Sequence, residues 1–261
     1  MESGDPLVTA EWLKEHISAP DVRVVDATWF PPFLNPEKTG RQAWAEGHIP
    51  GAVYFDIDAI KAGGTDLPHM LPDPVMFSSR ARKLGLGDGN RIIVYDQFNF
   101  FASARVWWML RVMGQRDVKV LDGGLKAWTD AGGETEDLPP VAVERHFTAR
   151  VRTDLLKDSD QMLAASANSS HNIIDSRSAE RFSGEAPEPR EGLPSGHIPG
   201  SICLPSGELR TEDGRMKSAE ELGKLFPNPL APTIATCGSG VSAAVTALAL
   251  ARLCLLYTSD A

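Results

Sequence analysis

Gly47-His48-Ile49-Pro50-Gly51-Ala52 returns as Gly196-His197-Ile198-Pro199-Gly200-Ser201, and Val24-Val25-Asp26-Ala27-Thr28 returns as Ile173-Ile174-Asp175-Ser176-Arg177. Both pairs are offset by 149 residues (48 to 197, 26 to 175), so the chain carries two copies of one domain. Further on, an apolar run enters a loop in each copy: Ile92-Ile93-Val94-Tyr95-Asp96 in the first, Thr233-Ile234-Ala235-Thr236-Cys237 in the second. One copy ends its run on a carboxylate and the other on a thiol. A duplicated scaffold with a thiol at this position in one copy alone predicts a single working site, at Cys237-Gly238-Ser239-Gly240-Val241-Ser242.

The bulk properties narrow the function classes. A chain of 261 residues suits two domains of ordinary size, each able to bury a core. Hydrophobic residues at 42% and charged residues at 23% fit a globular protein, and no apolar stretch approaches the roughly 20 residues of a membrane span, so no membrane partner is expected. The net charge of −9 argues against nucleic acid, whose phosphates reward basic surfaces. An anionic substrate must then be captured by local cations. Met1-Glu2-Ser3-Gly4-Asp5-Pro6 has neither a basic flank nor an apolar core, so no secretory signal is read and a cytoplasmic location is the expectation. Cys203, Cys237 and Cys254 cannot all pair, which predicts free thiols in a reducing compartment.

Strand patterns at residues 22–27, 52–56, 91–95 and 118–122 alternate with helix patterns at 10–13, 41–46, 73–84, 102–113 and 125–130, with Trp107 and Trp108 expected on the core side. The order repeats as helix 158–167, strand 172–175, strand 201–204, helix 218–226, strand 232–236 and helix 241–253. Such alternation predicts an α/β fold in which each domain is a parallel sheet flanked by helices. The domains are expected at 1–138 and 151–261, joined by an aperiodic, proline-bearing linker at 139–150. By analogy with 118–130, a further strand and helix should follow residue 253; the second domain therefore reads as truncated at its C-terminus and is expected to be less stable for it.

A strand running through Cys-Gly-Ser-Gly-Val-Ser into a helix lets successive amides converge on one point, with Gly238 and Gly240 permitting the dihedrals such a nest requires. The helix beginning near Val241 aims its positive end at the same place. Both effects favour a thiolate over a thiol and predict a nucleophilic Cys237, with hydroxyl donors from Ser239 and Ser242. The competing reading is a cysteine buried as a small hydrophobe at a strand end, which is how Cys203 and Cys254 are read. A phosphatase would need an arginine closing this loop; none stands there.

Taken together, the paired Gly-His-Ile-Pro-Gly turns, Arg105-Val-Trp-Trp, Leu121-Asp-Gly-Gly-Leu125 with Trp128, Asp175-Ser-Arg177, Arg181-Phe182, Pro187-Glu-Pro-Arg190 and the cysteine loop resemble the tandem-domain rhodanese family of sulfurtransferases, over about residues 7–253. The Cys-Gly-Ser-Gly-Val-Ser loop is similar to that of its 3-mercaptopyruvate type, whereas basic residues mark the thiosulfate type. The resemblance implies two tandem rhodanese-like domains, the second catalytic, and a sulfurtransferase that takes sulfur from a small anionic donor onto Cys237 as a persulfide, releases pyruvate and passes the sulfur to cyanide or to a thiol acceptor such as thioredoxin. It implies no metal or organic cofactor. Gly238, Gly240, Val241 and Ser242 would line the donor, and Arg181 and Arg190 match the family's substrate-carboxylate arginines, for which the bidentate fork of arginine is the physical reason. His48 would join Ser239 in a proton relay, although this sequence offers no clear acidic partner between Asn35 and Glu46, and His197 in the same turn points equally to an architectural role. Thiosulfate sulfur transfer and a non-catalytic rhodanese-like module are the alternatives.

Overall fold

The computed structural model describes residues 4–98, 100–190, 192–227 and 231–253. It divides into two compact units, one up to Arg152 and one from Thr153. In the first, β1 (Leu7–Val8), α1 (Ala10–His16), β2 (Val22–Asp26), α2 (Gly40–Glu46), β3 (Val53–Tyr54), α3 (Pro74–Lys83), β4 (Arg91–Tyr95), α4 (Phe101–Val112), β5 (Val118–Leu121) and α5 (Gly124–Asp130) follow in order. The sheet has the order β1-β5-β4-β2-β3, and every pairing is parallel. Central β4 is covered on both faces, which is why Ile92 to Tyr95 reads as an unbroken apolar run with no alternation.

Local chemistry sets the helix starts. Thr9 accepts from the Trp12 amide, Thr39 and Gln42 form a reciprocal capping box, and Asp73 accepts from Val75 and Met76. Of the two α4 tryptophans expected in the core, Trp107 is buried and donates to the Val118 carbonyl at 3.1 Å. Trp108 is only half-buried, with the Arg105 guanidinium over its ring at 4.6 Å, because a neighbour one position along a helix points about 100° away. The sequence patterns do not reveal β1; two residues are too few to show a period.

In the second unit, α6 (Ser159–Asn168), β6 (Asn172–Asp175), α7 (Ala179–Ser183), β7 (Ser201–Cys203), α8 (Ala219–Leu225), β8 (Thr233–Thr236) and α9 (Ser242–Arg252) form a parallel sheet of order β7-β6-β8. This reproduces β3-β2-β4, down to the register: Asp26 pairs with Tyr54 and Tyr95, and Asp175 with Cys203 and Thr236. Among the described residues no strand answers to β1 or β5. The expected C-terminal shortening and Cys254 concern positions that lie outside them.

Residues 139–150 form no helix or strand, yet they are strapped to the first unit. Phe147 is buried against Phe77, and its carbonyl accepts from Arg82 Nε; the amides of Ala149 and Arg150 donate to Ser78 Oγ and the Met113 carbonyl.

The repeated turn is one structure built twice. Gly51 and Gly200 take φ of +75° and +79°, a region that strains any residue with a Cβ, and the following amide closes the turn on Ile49 or Ile198 at 2.9 and 3.0 Å. The helix leading into the first turn starts at Gly40, where a Cβ would stand 1.8 Å from the Thr28 carbonyl oxygen. Gly40→Ala should therefore push α2 off the sheet and lower stability by about 1–3 kcal/mol, read as an earlier urea midpoint; an unmoved midpoint would show that the helix slides without cost.

Candidate active site

Cys237 follows β8 directly, and its Sγ accepts the Gly240 amide at 3.1 Å. The turn needs Gly240, whose φ is +77°. Five positions after the cysteine, α9 begins at Ser242 with no side chain capping it, so its first amides face the loop as its positive end. Cys237, Ser239 and Ser242 are half-buried and Val241 is buried, so the thiol is neither sealed in the core nor free in solvent.

The first unit shows what this crossing is made to hold. Five positions separate Asp96 from Phe101, the first residue of α4, as in the other copy. Here the Asp96 carboxylate turns back into the loop and accepts from the amides of Phe98, Phe100 and Ser103 at 3.1, 3.3 and 2.8 Å. One copy fills its nest with its own anion. Burial outweighs these three bonds and lifts the Asp96 carboxyl to about 6.

Cations gather beside the loop in the second unit. The Arg181 guanidinium packs against Gly238, where a Cβ would come within 2.9 Å of its Nη2 and the guanidinium would have to shift. Arg181 is not a lone cation: it donates through Nε and Nη2 to Glu188 at 3.1 and 2.5 Å. Glu188 also accepts from Arg177 Nη1 at 2.7 Å, while Arg177 grips Asp175 and the Gly196 carbonyl. Arg190 is partly exposed and has no hydrogen bond or ion pair among the described residues. Cys203, on β7, is a half-buried free thiol whose burial raises it above the ordinary cysteine range.

The turn histidines do the same work in both copies. His48 is fully buried, donates through Nδ1 to the Trp44 carbonyl at 2.8 Å and stacks on the Trp44 ring at 4.7 Å. His197 donates to the Phe182 carbonyl at 2.8 Å and stacks on Phe182 at 3.8 Å. The bridge is the same in the copy with the thiol and in the copy without it; the buried Nε2 of His48 has no hydrogen-bond partner among the described residues and lies 3.8 Å from Glu136 Oε1.

A different histidine of the first unit has the environment of a base. His69 Nε2 lies 2.9 Å from Asp58 Oδ1, and Trp29 Nε1 donates to the other Asp58 oxygen at 2.8 Å. The His69 bond is the main cause that holds the Asp58 carboxyl below its usual range. An ionised Asp58 takes the proton on Nε2 and leaves the lone pair on Nδ1, which is buried with no partner among the described residues. His69 sits at φ +52°, a strained conformation held by Arg105 donating to its carbonyl. Sequence reading missed this pair because its residues stand eleven positions apart in an irregular loop, with no spacing that marks them.

A rhodanese-like domain model matches residues 9–131 and again 158–258. The chain is 40% identical over 250 residues to the 3-mercaptopyruvate sulfurtransferase of Escherichia coli, covering 94% of this chain and 88% of that one. It is 38% identical over 261 residues to the thiosulfate sulfurtransferase of Gallus gallus, covering 96% and 88%. Among solved structures, the SseA 3-mercaptopyruvate sulfotransferase of Escherichia coli superposes with a TM-score of 0.89 at 38% identity over 97% of this chain and 96% of that one. Fold, site and likeness together define a sulfurtransferase assembled from two copies of one α/β domain. The chain belongs to the rhodanese-like family.

The filled nest of the first unit has a measurable consequence. A carboxyl titrating near pH 6 should be visible by NMR and vanish in Asp96→Asn. Because the folded chain holds this proton more tightly than the unfolded chain, Asp96's contribution to stability should grow as pH falls from about 7 through 6 toward 4; a contribution that shrinks over that window would contradict the assignment.

Proposed function

We propose that this chain moves sulfur from 3-mercaptopyruvate to a thiol or to cyanide through a persulfide on Cys237, releasing pyruvate. The carrying observation is the pair of loops: equivalent strand-to-helix crossings hold a carboxylate in one copy and the Cys237 sulfur in the other, with the Gly240 amide on that sulfur. An amide donor and a helix start favour negative charge on sulfur, first as the thiolate and then on the outer atom of the persulfide.

In the first half-reaction the Cys237 thiolate attacks the donor's sulfur. The carbon–sulfur bond breaks with its electron pair passing to the pyruvate enolate, and the proton from the donor's thiol ends on carbon. Arg190 with its guanidinium fork and Arg181 with its Nη1, which is not on Glu188, hold the donor carboxylate. Ser239 and Ser242 offer hydroxyls to the same anion, and Gly238, Gly240 and Val241 give it backbone to lie against. In the second half-reaction an acceptor thiolate, such as that of a thioredoxin, or cyanide attacks the outer sulfur; the sulfur–sulfur bond breaks and the Cys237 thiolate returns.

Mercaptopyruvate is preferred as donor because the loop puts Gly238 and Ser239, not basic residues, after the cysteine. The thiosulfate sulfurtransferase at 38% identity keeps thiosulfate as the second reading. Pyruvate release from 3-mercaptopyruvate and thiocyanate formation from thiosulfate, assayed side by side, separate the two. Cys237→Ser should abolish both; residual turnover in that variant would remove the thiol from the mechanism.

His48→Ala should lower the melting temperature, since it removes a buried stacked ring and leaves the Trp44 carbonyl unpaired; an unmoved melting temperature would show that the ring does not hold the turn.

A further inference from the structure

We infer that Glu188 is a specificity-determining residue: by binding Arg177 and Arg181 together it sets the net charge beside Cys237 so that the site takes a singly charged carboxylate donor in preference to a dianion. This rests on the reading that Arg181 and Arg190 hold the donor, and it adds what decides between donors.

The cation cluster is not an open basic patch. Arg177 and Arg181 face two carboxylates, Asp175 and Glu188, so these four charges cancel, and Arg190 would add one positive charge where it joins them on the donor. Glu188 is the hinge of that balance. Its side chain is 5% exposed, it accepts from both arginines, and the bond from Arg181 above all holds its carboxyl below the usual glutamate range. It therefore carries its negative charge at neutral pH.

Its geometry also rations the hydrogen bonds of Arg181. The Nε and Nη2 edge of the guanidinium, the one that would otherwise clamp a ligand side-on, is turned onto Glu188; Nη1 has no partner among the described residues. Because Arg181 Nη2 packs at Gly238, the neutralised edge lies against the cysteine loop itself.

The first unit supports a dedicated role for the cluster. Where Arg177 stands in the second copy the first has Thr28, and Asp26, the counterpart of Asp175, is buried with no cation on it among the described residues: it accepts from the Thr28 amide, and burial raises its carboxyl. The paired charges belong to the copy with the thiol. Relatives named for mercaptopyruvate and for thiosulfate match this chain almost equally well, so overall likeness does not choose the donor, and the charge at the site can.

A dianion gains twice what a monoanion gains from each added positive charge, so changing the cluster by one charge should alter the preference on the order of ten-fold at a partly screened distance. The test needs no turnover: sulfate and pyruvate serve as inert dianion and monoanion probes, and their affinities are measured by calorimetry for the intact chain, Glu188→Gln, Glu188→Asp and Arg190→Gln. The sulfate-to-pyruvate affinity ratio should rise on the order of ten-fold in Glu188→Gln, stay near the parent value in Glu188→Asp, and fall in Arg190→Gln. The thiosulfate-to-mercaptopyruvate ratio of kcat/KM should follow the same order. If Glu188→Gln fails to fold, the fall in Arg190→Gln and the unchanged ratio in Glu188→Asp still decide. A ratio that ignores the charge change, or one that moves as far in Glu188→Asp as in Glu188→Gln, overturns the inference. Absence of pyruvate release by the parent chain overturns the proposed reaction instead, and the anion affinities stand apart from it.

Discussion

A parallel strand that runs straight into a helix leaves amide hydrogens converging where the chain turns, and those donors require an acceptor. Everything specific to this protein follows from how each copy meets that demand. The first meets it with the carboxylate of Asp96, which three amides hold in place and burial makes reluctant to ionise. The second puts Cys237 at the same crossing, and one amide reaches the sulfur while the helix start has no side-chain cap. A self-filled nest is stable and inert; a partly filled one is available to an anion that arrives on sulfur.

The cations beside it answer a second constraint. An acidic chain must concentrate positive charge locally to receive an anion, yet a buried cluster of bare arginines would repel itself and resist desolvation. Asp175 and Glu188 relieve that repulsion and orient the guanidiniums, so the site offers directed donors with little excess charge.

Much of this was legible along the chain. The turn repeats and the two strand-to-loop runs located both copies, and the apolar periodicities placed most helices and strands within a residue or two of their observed bounds. Short elements escaped: β1 has two residues and α7 five, too few for any period to emerge. The Asp58–His69 pair escaped for another reason. Its chemistry arises from an irregular loop folded back on itself and clamped by Arg105 and Trp29, and no local pattern encodes that. His48 is conspicuous in sequence because its turn is repeated, and in both copies the histidine bridges back to the helix before it.

The order of residues alone determined the duplication, the α/β alternation and the one thiol at a strand-to-helix crossing, because periodicity and spacing are properties of neighbours along the backbone. Only the folded structure decided that Asp58 orients the His69 ring while the His48 ring is buried on Trp44, and that Arg181 shares its charge with Glu188 while Arg190 has no ion pair among the described residues. Those outcomes depend on burial and on partners brought together from separate loops, and a linear sequence carries neither.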